Sequence, residues 1–141
     1  MLRVRDLTVS AHGKLLLSEI AFEAKRGESV AVIGPNESGK SLLLQVLAGG
    51  VRSAEGDIRI NSYHLMREDK QYKSQLGYAA LGNQPEEYLT GLEWLEILGT
   101  TYAVPPKKRA ASILSLAEQL GVRDQLYTVI EHLGPAARQK I

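Results

Sequence analysis

Residues Gly34 to Ser41 read "GPNESGKS", a glycine-bounded loop ending in lysine and serine. The segment before it, "SVAVI" over Ser29 to Ile33, is almost continuously apolar and rich in β-branched residues, the pattern of a strand buried on both faces of an α/β sheet. The segment after it, Lys40 to Ala48, carries Leu42, Leu43, Leu44, Val46 and Leu47 before Gly49 and Gly50 stop a helix. Strand, glycine loop and helix in that order form a phosphate cradle. The glycines let backbone N–H groups turn inward around an anion, and the helix adds its positive N-terminal end. Lys40 would reach the β- and γ-phosphates, and Ser41 would offer its hydroxyl oxygen to Mg²⁺. The expected ligand is ATP or GTP with Mg²⁺. Glu37 is the odd residue, a carboxylate inside an anion loop, expected to face solvent and to weaken binding at low salt.

The remaining composition narrows the setting. At 141 residues the chain fits one domain. A net charge of +1 gives no global field that would attract nucleic acid or an anionic membrane. With no cysteine there is no disulfide framework and no zinc–thiolate site. The start, "MLRVRDLTVS", alternates and carries charge, so it reads as a strand rather than a signal peptide. Apolar runs fall far short of the roughly 20 residues that span a bilayer. A cytoplasmic protein is expected.

Along the chain, "LRVRDLTVS" and "EIAFEAKRG" alternate and flank a turn at His12 to Lys14, which predicts an antiparallel pair with one wet face. "GDIRINSYHL", Gly56 to Leu65, predicts one further strand, and "LGYAAL", Leu76 to Leu81, a short one. "REDKQYKSQ" reads as a solvated, charged connection. Thr90, with Glu93 three residues on, predicts a capping box that opens a helix to Tyr102. Pro105 and Pro106 break the chain before a second helix over Lys107 to Leu120, stopped by Gly121. Strands dominate the first half and helices the second.

Together "LTVSAHGKLLLSEIAFEAKRGESVAVIGPNESGKSLLLQVLAGG", "EGDIRINSYHL" and "LGYAAL" make the chain resemble the ATP-binding cassette (ABC) ATPases, the motor subunits of ABC transporters. The resemblance covers essentially the whole chain but only the first part of a full cassette. It implies an α/β phosphate-loop NTPase of ABC type: an antiparallel β subdomain and phosphate-loop core over about 1–88, and the start of a helical subdomain over about 89–141. Its implied ligand set is Gly34, Pro35, Asn36, Glu37, Ser38, Gly39, Lys40, Ser41 and Leu42, with Ser41 on Mg²⁺. His12 takes the place of the family's adenine-stacking aromatic, and reads equally well as a polar turn residue.

Several positions depart from the family pattern. Leu42 stands where a second Ser or Thr usually contacts the α-phosphate. The glutamine that ligates Mg²⁺ falls at Leu81, which reads as packing. Gln84, three residues on, would replace it only if the loop shifts, and otherwise reads as a surface residue. The signature "LSGGQ" reads "LGPAA" over Leu133 to Ala137, followed by Arg138 to Lys140, and Pro135 removes an N–H where donors matter. No apolar run followed by Asp-Glu, the family's Walker B pattern, occurs in the 141 residues. His64 and His132 read as surface or boundary residues, so no catalytic residue is assigned. The expectation is a chain that binds ATP and Mg²⁺ but does not hydrolyse efficiently alone, either completed by another chain or a fragment.

The implied role is the ATP-binding subunit, or part of one, of an ABC transporter. Such a subunit sits peripherally on the inner membrane face, with transmembrane permease subunits and a second ATP-binding subunit as partners. Tyr88 and Trp94 would face the permease, although Trp94 reads equally as core. Other readings are a non-catalytic regulatory module that uses only the phosphate loop, and an ABC-type DNA-maintenance ATPase. The second is weakened by the absence of a heptad run. A small-molecule kinase fits poorly with the antiparallel strands before the loop.

Overall fold

A computed structural model of the chain describes residues 1–51, 54–80 and 86–141. These form two compact units, Met1–Tyr78 and Ala79–Ile141.

In the first unit, β1 (Leu2–Ala11) and β2 (Lys14–Ala24) make an antiparallel hairpin. Its two turn residues, His12 (φ 51°) and Gly13 (φ 74°), are both left-handed, as a two-residue turn between twisted strands requires. β3 (Ala54–Ile60) pairs with the other side of β1, and β4 (Tyr63–His64) with β3, giving the order β2-β1-β3-β4.

The inward residues of β1 are Val4, then Leu7 and Val9, so the alternation slips by one between Val4 and Leu7. A bulge at Asp6 (φ 49°) absorbs the slip and keeps all three on the core face. β2 repeats the device: Leu17 is buried, Glu19 is left-handed at φ 52°, and Ile20 and Phe22 pack against the core. Opposite the first bulge stands Gly56, whose Cβ would lie 2.7 Å from the Arg5 carbonyl oxygen and 2.8 Å from that of Asp6. Only glycine fits there.

Two helices supply the rest of this core. α1 (Lys40–Leu47) buries Leu43 and Val46, and α2 (Asp69–Lys73) buries Tyr72. They join Val4, Leu7, Val9, Leu17, Ile58 and Leu65 in one cluster. The Tyr72 hydroxyl donates to the Leu47 carbonyl at 2.7 Å, satisfying an acceptor that the end of α1 leaves open. Burial pushes the Tyr72 pKa up to about 12.

Four expectations need correction. Residues 29–33 do not form a strand, and Ile33 is 90% exposed. A strand buried on both faces needs ladder partners, and no described segment pairs with this one. Residues 76–80 are likewise irregular, and Leu81 lies outside the described residues. "GDIRINSYHL" is a β3–β4 hairpin rather than one strand, turning at left-handed Asn61 (φ 55°). The charged connection contains α2, because a single tyrosine among charges is enough to anchor one turn in the core.

His64 is also buried rather than superficial. Its Nδ1 accepts from the Met66 N–H at 3.0 Å, and its Nε2 lies 3.3 Å from Asp57 Oδ1. A hydrogen bond from Arg59, together with its charge and those of His64 and Arg5, outweighs desolvation and holds the Asp57 carboxyl below its usual range.

In the second unit, α3 (Gly91–Thr101) opens on the expected capping box. The Glu93 N–H donates to Thr90 Oγ1, and the Thr90 N–H donates to Glu93 Oε2 at 2.8 Å, which lowers the Glu93 pKa. Pro106 occupies the first position of α4 (Pro106–Gln119), where its missing N–H costs nothing. Ile113 and Ala117 from α4 pack with Val122 and Leu126, with Leu92, Leu95 and Ile141 against them. The Arg109 guanidinium ties α4 to the end of α3 through Glu96, Thr100 and the Val104 carbonyl. Short 3₁₀ turns at Arg123–Gln125 and Ile130–His132 lead to α5 (Pro135–Arg138). Among the described residues no helix is long and apolar enough to cross a membrane.

Tyr72→Phe leaves the Leu47 carbonyl without its donor and costs about 1–2 kcal/mol in chemical denaturation. The raised pKa means that the protonated phenol stabilises the fold fully below about pH 10, and that this contribution is lost as pH rises through about 12. The alkaline decline in melting temperature over that window should therefore be shallower in Tyr72→Phe. A second prediction concerns the bulge. Gly56→Ala should cost more than about 2 kcal/mol, because the clash is with backbone and φ is 116°.

Candidate functional site

The loop over Gly34–Gly39 is built by its neighbours. Leu43 and Val46 fix α1 in the core, so the start of α1 is held where the sheet places it. Gly39 (φ 88°) caps α1 in a conformation that favours glycine, and its missing Cβ leaves room for Leu17: an added one would lie 2.7 Å from Leu17 Cδ2. The first α1 rung runs from the Leu43 N–H to the Gly39 carbonyl at 2.8 Å. The amides of Lys40, Ser41 and Leu42 therefore precede the ladder, and they find no acceptor among the described residues.

The side chains converge on the same place. Lys40 Nζ donates to the Gly34 carbonyl at 3.0 Å and the Pro35 carbonyl at 2.5 Å, and lies 3.5 Å from Ser38 Oγ. Gly34 lies against Ser38, since an added Cβ would stand 2.9 Å from that hydroxyl. A surface depression of about 280 Å³ is lined by Leu16, Glu37, Gly39, Lys40, Ser41 and Leu42. A primary ammonium, an exposed hydroxyl and three unpaired helix amides are thus set around one concavity. That donor set suits a polyanion, and the hydroxyl oxygen suits a hard divalent cation.

The expected residues are distributed unevenly. Glu37, Gly39, Lys40, Ser41 and Leu42 line the depression, while Gly34, Pro35 and Ser38 hold the lysine. Asn36 is exposed in the loop, and Leu42 is half-buried against the core. His12 is exposed at the hairpin tip and is not part of the lining. Leu81 and Gln84 lie outside the described residues. In the second unit, Gly134 caps α5 with Pro135 at its first position. Arg138 folds back to donate to the Leu133 carbonyl at 2.8 Å and the Glu131 carbonyl at 2.5 Å. Tyr88 is exposed and Trp94 half-buried. Sequence reasoning missed Leu16, which lines the depression, and Leu17, which backs Gly39; the adjacent "LLL" on β2 was their only signal.

The family model for ABC transporter matches residues 17–141. The chain belongs to the ABC transporter family. It is similar to the cytochrome c biogenesis ATP-binding export protein CcmA of Xylella fastidiosa, at 28% identity over 100% of this chain and 61% of that protein. It is also similar to the linearmycin resistance ATP-binding protein LnrL of Bacillus subtilis, at 28% identity over 100% of this chain and 45% of that protein. A solved structure described as the ATP binding subunit of an ABC transporter aligns with a TM-score of 0.84 at 28% identity, covering 99% of this chain and 58% of that one. This ABC-family chain therefore spans about half to three fifths of the length of the relatives it matches.

Gly39→Ala should destabilise the fold more than Gly13→Ala does. Both glycines have φ above +70°, but only Gly39 has a neighbour in the way, while Gly13 faces open space. Backbone strain alone costs about 1 kcal/mol. Chemical denaturation of the two variants measures the difference, which should vanish if Leu17 does not back the loop.

Proposed function

We propose that this chain is an ATP-binding subunit, or part of one, of an ABC transporter, and that residues 34–42 hold the phosphates of ATP. The observation that carries this reading is the concavity at the start of α1, where Lys40, Ser41 and three unpaired amides meet. On binding, Lys40 exchanges the neutral Gly34 and Pro35 carbonyl acceptors for anionic phosphate oxygens, so its contacts become ones between opposite charges. The amides of Lys40, Ser41 and Leu42 complete the cradle, aided by the positive end of the helix. Ser41 is the residue that would hold Mg²⁺, whose chemistry there is to neutralise charge across the phosphates. Leu42 supplies an amide but no hydroxyl, so one side-chain contact is absent. His12, at the hairpin tip, is the residue proposed to stack on the base.

The proposed partners are transmembrane permease subunits and a second ATP-binding subunit, with the chain on the cytoplasmic side of the membrane. Exposed Val30, Val32 and Ile33 support association, because apolar side chains gathered on a surface mark interfaces. Residues 133–137 would make a weak contact to a partner's nucleotide, since Pro135 offers no N–H at the start of α5.

Equilibrium titration of the purified chain with ATP and Mg²⁺ tests the reading. Binding is expected, and Lys40→Ala should weaken it by about tenfold or more, the loss of one charge-assisted contact. Unchanged binding in Lys40→Ala would contradict the phosphate-loop assignment.

A further inference from the structure

Among the described residues, Glu37 is the one acidic residue in the lining of the phosphate depression, beside Lys40 as its one cation. Its backbone is left-handed, at φ 63°, a conformation that costs a glutamate and that Gly or Asn adopts more readily. The fold holds the residue there regardless. No ion pair joins it to Lys40 among the described residues, because the ammonium is engaged by the Gly34 and Pro35 carbonyls. A carboxylate with no ion-pair partner among the described residues thus lines the same depression as the amides that meet the anion.

We infer that Glu37 sets the site's choice between metal-free and metal-bound nucleotide, making it select the Mg²⁺ chelate of ATP. This inference rests on the phosphate-loop reading above. Free ATP carries about four negative charges and its Mg²⁺ chelate about two, so a fixed carboxylate repels the first more than the second. Across roughly 10 Å of water-rich surface, each unit of ligand charge changes affinity about twofold, and two units change it about fourfold. The effect fades when the Debye length shrinks, so it is largest at low salt. A loop cation offset by a neighbouring carboxylate gives up general anion affinity and gains discrimination by ligand charge.

The test is titration of the full chain with ATP at low ionic strength, once with Mg²⁺ and once with a chelator, read by calorimetry. Glu37→Gln removes the charge, Glu37→Asn removes it while suiting the left-handed backbone, and Glu37→Asp keeps it. Thermal melts confirm that all three fold. Both neutral variants should gain about fourfold more affinity for metal-free ATP than for the chelate, and Glu37→Asp should keep the wild-type ratio. Equal changes for the two ligand forms, or no change, would overturn the role of Glu37 and leave the phosphate loop standing. If the wild-type chain binds neither form, the phosphate-loop reading itself fails.

Discussion

The packing of Leu43 and Val46 against Val4, Leu7 and Val9 is the constraint on which the rest of the first unit depends. Each buried aliphatic side chain contributes about 1.5–3 kcal/mol, and the two on α1 also decide where the helix begins. The loop before it inherits that position. Tyr72 holds the other end of α1 through the Leu47 carbonyl, so the short helix is fixed at both termini rather than by its own propensity. A concavity lined by amides needs this rigidity, since amides that wander make no cradle.

The electrostatics of that concavity follow from a small inventory. Lys40 is its only lining cation among the described residues, and the carbonyls of its own loop already occupy it. The free donors are mostly backbone, which the protein cannot titrate away or easily mutate. Function would then reside in geometry set by Gly39 and Leu17 as much as in the lysine. In the proposed function the side chains of the lining would adjust the strength and selectivity of that geometry: Leu42 leaves out a hydroxyl, and Glu37 would oppose negative charge.

Much of this was legible in the sequence, where local chemistry decides the outcome. The phosphate-loop spacing, the His12–Gly13 hairpin, the Thr90–Glu93 capping box and the proline-opened α4 are all set within a few residues of chain. What escaped depends on distant partners. The apolar run at 29–33 signals a wish for burial on both faces but does not contain the strands that would satisfy it. Tyr72 was hidden because charges dominate its neighbourhood, although only one side chain in that turn faces the core. His64 was misjudged because its burial follows from the short β4 strand pairing with β3, which the local sequence does not show. The one-residue slip between Val4 and Leu7 was visible in the alternation, and Gly56 is its echo on the neighbouring strand.

Hydrogen–deuterium exchange with and without ATP and Mg²⁺ examines most directly whether the loop amides hold the nucleotide. Among the described residues the amides of Lys40, Ser41 and Leu42 find no acceptor in the free chain, so they should exchange fast alone and slowly with ligand. Protection confined to that segment, with the amides of α3 and α4 unchanged, is the predicted result. Ligand-induced protection elsewhere, with residues 40–42 still exchanging freely, would contradict the account.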